Sequence, residues 1–376
     1  MYFVTIFRLV LFLDSYCICS CFLSGQSLSS AQRFSDYSRR RSMGNENETT
    51  QVKEIPCKLP FIDASMFYVN DRKCLLVPAK DLKHRNMSIK HSTRREATDH
   101  STETNDEKEM KPPPPIVMLG GMAQTIEGLQ HHFQDFSRER DLLVYEYLGQ
   151  GLGATDDKDK TDYSNVSMEL HSHDFKQISN TIFPDCEQMD VVAFSLGARI
   201  IVSTIATYPH IIRKAHLTGI ADKRDEFGKI ILASWRDLLR PTIDDYDCHD
   251  IRPFAWSIIF ATYSNNFIST MGVDKISTWI DFICKTNTRS GLYSLLTKCD
   301  SDPIEYAASI RSQSQTIGQI AIGRHDKIAP YTGAQKLNDA LGWINPVKMY
   351  DQSGHAVLNE SSTQEWRNDV IQFLKQ

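Results

Sequence analysis

The run Asp190-Val191-Val192-Ala193-Phe194-Ser195-Leu196-Gly197-Ala198-Arg199 decides how the rest of the chain is read. A short β-branched, apolar stretch leads into Ser195, flanked at two residues by Ala193 and Gly197. A helix-compatible run from Ala198 to Tyr208 follows. This is the strand–turn–helix pattern of a nucleophile elbow, G-x-S-x-G with alanine at the first glycine. The turn is so tight that larger side chains at the flanking positions would strike neighbouring backbone. A serine held there projects its hydroxyl from the end of a sheet at the start of a helix, where it can attack an electrophile if a base stands near. Small-x-Ser-x-Gly also arises by chance, so the motif has to be weighed with its surroundings.

Those surroundings have a strong rhythm. PIVMLGG (115–121), DLLVYEY (141–147), MDVVAFS (189–195) and KAHLTGI (214–220) read as short buried strands. Amphipathic helical runs at 125–140, 168–183 and 198–208 separate them. Such alternation implies βαβ units and a parallel sheet covered on both faces. Upstream, 61–70 and 73–80 read as two strands joined by a turn at Asn70-Asp71. Between 222 and 315 the rhythm stops, and five helical patterns follow at about 223–239, 252–271, 274–285, 288–298 and 303–313. It resumes with a strand at 319–326, a helix at 331–341, a strand at 347–351 and a terminal helix at 362–375. The expected organisation is a leader over 1–50, a first α/β part over 51–221, an all-helical insertion over 222–315, and a second α/β part over 316–376. Residues 81–111 are a polyampholyte with almost no aliphatic side chains, read as a disordered insertion within the first part.

Composition narrows the function classes. The chain has 376 residues, of which 41% are hydrophobic and 24% charged, and a net charge of −5. This is globular material with no charge excess suited to nucleic acid. Nine cysteines contain no C-x-x-C pair, and Cys57, Cys74, Cys186, Cys248, Cys284 and Cys299 read as reduced, half-buried residues. No metal and no cofactor is expected. His131-His132 and His171/His173 have no companions at ligand spacing and read as solvated helix surface. The apolar segment 1–23 is interrupted by Arg8 and Asp14, which argues against a stable membrane span. The serine- and arginine-rich stretch after it reads as a targeting leader to a plastid or mitochondrion, with the secretory pathway or cytoplasm as alternatives.

A serine nucleophile needs a base, and the base needs a third group to orient it. In parallel-sheet proteins such groups sit on loops at the carboxyl ends of strands. Two later loops carry the right chemistry. Asp326 ends the strand in Gly323-Arg324-His325-Asp326-Lys327, and His355 follows the next strand in Ser353-Gly354-His355-Ala356. Asp351 is a rival acid, but it lies only four residues before His355 and after the wrong strand. His325 reads as a loop residue.

The order Ser195, Asp326, His355, together with the sheet rhythm, resembles the α/β-hydrolase superfamily over about residues 61–376. The resemblance implies a mostly parallel, doubly wound α/β sheet with a helical cap inserted before the acid-bearing strand. It implies a Ser195–His355–Asp326 triad and an oxyanion hole from the backbone N–H groups of Leu196 and Met122. The latter lies in Leu119-Gly120-Gly121-Met122-Ala123, where the family often has His-Gly and Gly120 replaces the histidine. Gly121 in that loop is a candidate substrate contact. The loop Glu146-Tyr147-Leu148-Gly149-Gln150-Gly151-Leu152-Gly153 is similar to the family's Asp-x-Pro-Gly-x-Gly segment and reads as structural. Arg199 reads first as a salt bridge across the helix layer and second as a contact to a substrate carboxylate.

With serine as nucleophile the implied reaction is hydrolysis of a carboxylic ester or related small acyl compound through an acyl-enzyme. An aspartate at position 195 would have implied dehalogenation or epoxide opening. Two other readings stand beside it. One is a carbon–carbon bond hydrolase or a lyase like the menaquinone-pathway synthase, since Ser-Leu-Gly-Ala-Arg is similar to their Ser-x-Gly-Gly-Arg. The other is a non-catalytic ligand-binding protein on the same scaffold.

Overall fold

The structure is a computed structural model that describes residues 50–57, 59, 63–80, 113–152, 161–241 and 250–376. The expected leader (save Thr50), the charged insertion, Phe61 and Ile62 of an expected strand, Gly153 and Cys248 lie outside the described residues.

Nine strands form one sheet in the order β1-β2-β3-β5-β4-β6-β7-β8-β9. They are β1 (Val52–Ile55), β2 (Ser65–Val69), β3 (Arg72–Val77), β4 (Ile116–Leu119), β5 (Leu142–Tyr145), β6 (Met189–Phe194), β7 (Ile212–Thr218), β8 (Ile317–Gly323) and β9 (Lys348–Tyr350). The first three add antiparallel, and everything from β5 onward is parallel. Asn70 and Asp71 join β2 to β3 with positive φ at both positions, 47° and 62°. That backbone matches the twist of a two-residue hairpin, and Asn and Asp tolerate it best among residues with a Cβ. Strands β4, β5 and β6 are buried along their whole length, which is why they read as continuous apolar runs rather than alternating ones. Strand β1 escapes sequence reading because Val-Lys-Glu-Ile is short, half exposed and half charged.

Helices cover both faces of the sheet. In the first half they are α1 (Ile126–Leu129), α2 (Phe133–Phe136), α3 (Met168–Ile182) and α4 (Leu196–Thr207). Between β7 and β8 lie α5 (Glu226–Leu239), α6 (Arg252–Thr262), α7 (Asn265–Thr286), α8 (Arg289–Lys298) and α9 (Ile304–Gln313). The chain closes with α10 (Tyr331–Leu341) and α11 (Thr363–Lys375). Side-chain caps set several starts: Ser167 accepts from Leu170 N, Asp225 from Gly228 N and Thr288 from Gly291 N. No helix of the described residues is long and apolar enough to cross a membrane.

Three expectations need correction. The single helix over 125–140 is broken by a 3₁₀ turn at Gln130–His132. Its buried positions Ile126, Leu129, His132 and Phe136 recur nearly every three residues, and a turn of three residues keeps them on the sheet side. The insertion's second and third helices divide at Tyr263-Ser264, not near residue 272. Gly272 (φ 73°) only kinks α7, whereas Ser264 caps it by accepting from Phe267 N at 3.3 Å. Finally, His132 and His171 are fully buried rather than solvated. His132 packs edge-on to Trp366 at 5.2 Å and His171 lies against Tyr147 at 5.3 Å, as flat apolar fillers. Burial therefore lowers both, His171 to about 3 and His132 well below the ordinary histidine value. His131 and His173 are on the surface.

Candidate active site

The site is built where β6 meets α4. Ser195 has φ 52° and ψ −114°, a conformation costly for a residue with a Cβ. The surroundings hold it there. Its N–H donates to the Thr218 carbonyl at 2.8 Å, on the neighbouring strand β7. Gly197 is required by contact, since a Cβ there would lie 2.5 Å from the Gly120 carbonyl oxygen and 2.9 Å from the Leu119 Cβ. Ala193, fully buried, fits the other small position of the turn.

His355 stands against this elbow. Its Nε2 is 2.8 Å from Ser195 Oγ, and its Nδ1 is 2.7 Å from Asp326 Oδ2. The other Asp326 oxygen accepts from the N–H groups of Ile328 and Ala329, both at 2.8 Å. A carboxylate that only accepts requires the proton on Nδ1, so Nε2 presents its lone pair to the serine hydroxyl. Gly323 and Gly354 let the two loops touch: a Cβ on Gly323 would fall 1.9 Å from the Gly354 carbonyl oxygen. The imidazole packs against Gly219, where a Cβ would come within 2.9 Å of its Cε1, and against the Phe194 ring at 5.1 Å.

Asp351 pairs with Arg324 at 2.7 Å on the surface and takes no part. His325 is exposed, with its backbone N–H on the Ser353 carbonyl.

Leu196 is the first residue of α4, so its N–H has no intrahelical acceptor. Met122 and Leu196 line the same cleft as Ser195 and His355. Gly121 packs flush behind them, since a Cβ there would lie 2.8 Å from the Phe194 ring and 3.1 Å from Ser195 Cβ.

Sequence reasoning missed what holds this loop. Gln150 donates from Nε2 to the carbonyls of Gly121 (2.7 Å) and Gln124, and the Gln124 side chain accepts from Gly121 N at 2.7 Å. Tyr147 adds a hydroxyl bond to the Gly120 carbonyl at 3.2 Å. These side chains fix the backbone of residues 120–124. Glu146 accepts from Ile126 N at 2.9 Å, where α1 starts, and lies 3.7 Å from Lys73. Burial pushes its carboxyl up to about 7, against the pull of the Lys73 ammonium. A second missed residue is Glu360. Its buried carboxylate accepts from Gly354 N (2.7 Å) and Ser264 N (3.1 Å), tying the His355 loop to the start of α7. Burial raises this carboxyl too.

The cleft above Ser195 is completed by Leu232, Trp235, Ile258, Leu295 and Leu296, all from α5, α6 and α8. Arg199 also lines the cleft, bonded to the Ser301 carbonyl and 3.8 Å from Asp302.

The sheet order, the crossover at β6 and the elbow define the class: the chain has the α/β-hydrolase fold. Among solved structures it is similar to an α/β-hydrolase enzyme from a Medee basin deep-sea metagenome library, with a TM-score of 0.60 and 15% identity over 85% of this chain and 97% of that one. It is also similar to the enol-lactonase from Burkholderia xenovorans (TM-score 0.57, 15% identity, 70% and 92% covered). The carboxylesterase CesB from Bacillus subtilis matches at TM-score 0.55 and 12% identity, with 92% and 97% covered. In sequence the chain is 29% identical over 150 residues to the pyrrolizixenacetamide deacetylase of Xenorhabdus hominickii. That match covers 39% of this chain and about half, 52%, of the relative. No protein-family profile matches the chain.

Proposed function

We propose that the protein is a serine hydrolase acting on carboxylic esters or related acyl compounds. The observation that carries the reading is the unbroken hydrogen-bond chain Ser195 Oγ–His355–Asp326 in a cleft lined mostly by apolar residues. His355 Nε2 takes the hydroxyl proton as Ser195 attacks the acyl carbonyl. Asp326 holds the tautomer and stabilises the imidazolium that forms. The N–H groups of Leu196 and Met122 face the developing oxyanion, where preorganised donors act most strongly. His355 then gives its proton to the leaving group, and the acyl-Ser195 ester is hydrolysed by a water that His355 activates. The helical insertion acts as the cap, and its apolar side chains take the hydrocarbon part of the substrate. The carboxylesterase and lactonase neighbours and the partial deacetylase relative support hydrolysis of an acyl bond in this fold. The test pairs 4-nitrophenyl ester hydrolysis with fluorophosphonate labelling in the native chain and in Ser195→Ala. Both signals should vanish in the variant. Hydrolysis that persists without Ser195 sinks the reading.

A further inference from the structure

The cationic residues that line the cleft are not used by the reaction as just described. Arg199 lies one helical turn beyond Ser195 on α4, its N–H bonded to the Ser195 carbonyl at 3.1 Å. Its side chain lines the cleft that holds Ser195 and His355, yet the residue is only 9% exposed. A guanidinium has five donors in a fixed fork. One Nη donates to the Ser301 carbonyl, Asp302 stands off at 3.8 Å, and Nε is buried with no acceptor. Burial pulls this guanidinium down to about 9, and the neighbouring Arg224 adds repulsion.

The neighbourhood has the same imbalance. Lys223 and Arg224 also line the cleft, and none of the described lining residues is acidic. Asp300 is already shared between Arg224 and Arg236. Lys223 is exposed and makes no ion pair within the described residues. A buried cation whose partners are a carbonyl and a distant carboxylate is costly unless an anion completes it. The same cleft is also lined by Leu232, Trp235, Ile258, Leu295 and Leu296, which offer only apolar surface.

We propose that the part of the cleft lined by Arg199 is a carboxylate-binding subsite, with Arg199 as its fork and Lys223 and Arg224 contributing charge. The substrates are then acyl compounds bearing a second, free carboxylate, such as half-esters or half-amides of dicarboxylic acids, with an aliphatic spacer along the apolar wall. This rests on the serine-hydrolase reading. A purely structural Arg199, clamping α4 to the Ser301–Asp302 segment, would leave substrate charge without effect.

The test compares mono-4-nitrophenyl succinate, glutarate and adipate with neutral 4-nitrophenyl esters of matching length, in the native chain, Arg199→Gln, Arg199→Lys and Ser195→Ala. The native chain should favour the anionic member of a pair by about tenfold to a hundredfold in kcat/KM, the worth of one or two charge-assisted hydrogen bonds. The preference should lie mainly in KM. Arg199→Gln should bring the ratio near one, and Arg199→Lys should retain part of it as a point charge without the fork. Competition in the native chain needs no variant: free glutarate should inhibit neutral-ester hydrolysis well below the concentration at which glutaramide does. A native ratio at or below one, or an unchanged ratio in folded Arg199→Gln, overturns the subsite. Ser195-dependent hydrolysis with no charge preference removes the subsite alone, whereas hydrolysis that survives Ser195→Ala removes the serine-hydrolase reading and the subsite with it.

Discussion

Replacing Asp326 with asparagine tests the catalytic geometry with little change in shape. One oxygen of Asp326 is committed to the N–H groups of Ile328 and Ala329, both at 2.8 Å. An asparagine must put its carbonyl there, because its NH2 would face two donors. The NH2 then points at His355 Nδ1 and requires that nitrogen to accept. The ring proton moves to Nε2, 2.8 Å from Ser195 Oγ, and the lone pair that should take the hydroxyl proton is gone. The same tautomer reversal in serine proteases lowers kcat about 10⁴-fold, which is about 5 kcal/mol of barrier. Stability should change little, since the backbone bonds to the loop survive. Single-turnover hydrolysis of a neutral 4-nitrophenyl ester, with a melting curve on the same sample, reads both. A folded Asp326→Asn protein within about tenfold of the native kcat would refute the tautomer argument and the role given to Asp326.

Other substitutions separate chemistry from stability. Gly121→Ala places a Cβ 2.8 Å from the Phe194 ring and pushes the Met122 loop off the elbow; kcat should fall about 10²-fold, as for loss of one oxyanion donor, with a minor change in melting temperature. Glu146→Gln probes a carboxyl that burial raises to about 7. Between the ordinary glutamate value and 7 the folded chain holds a proton that the unfolded chain releases, so stability from this group is full at low pH and is lost as pH rises through that window. The glutamine variant lacks this titration, so melting curves from pH 5 to 8 should show it gaining on the native chain, by up to about 3 kcal/mol. Asp190→Asn leaves Arg140, now 2.5 Å from the carboxylate, buried without its counter-charge. It should cost about 3–5 kcal/mol in urea unfolding while kcat stays unchanged.

Ser195, Asp326 and His355, which the structure joins in one hydrogen-bond chain, were legible because each sits in a local pattern: tiny residues around Ser195, and strand-end loops around Asp326 and His355. Their order along the chain did the rest. The supports were not legible. Gln150 reaches the carbonyls of Gly121 and Gln124 across 29 and 26 residues, and Glu360 reaches Ser264 across 96. An amide or carboxylate aimed at distant backbone leaves no spacing to read. His132 and His171 were misread for a related reason: histidine has no fixed place in an amphipathic pattern, and only the aromatic neighbours decide that it goes inside. The break between α6 and α7 depended on a carboxylate from the far end of the chain accepting Ser264 N, whereas Gly272 only bends the helix that follows.

The residues that line the cleft differ in what they are free to do. Ile328 and Ala329 line it, and their N–H groups also fix Asp326. Gly219 lines it too, and its missing side chain makes room for the His355 ring. A change of shape at these positions reaches the groups that hold His355 and Asp326 together. Leu232, Trp235, Ile258 and Leu295 line it from helices that carry none of Ser195, Asp326 and His355. Diversification of the cleft therefore has permissive positions and forbidden ones. Descendants of this chain, or libraries built on it, can redraw those four side chains while the Ser195–His355–Asp326 geometry is inherited intact.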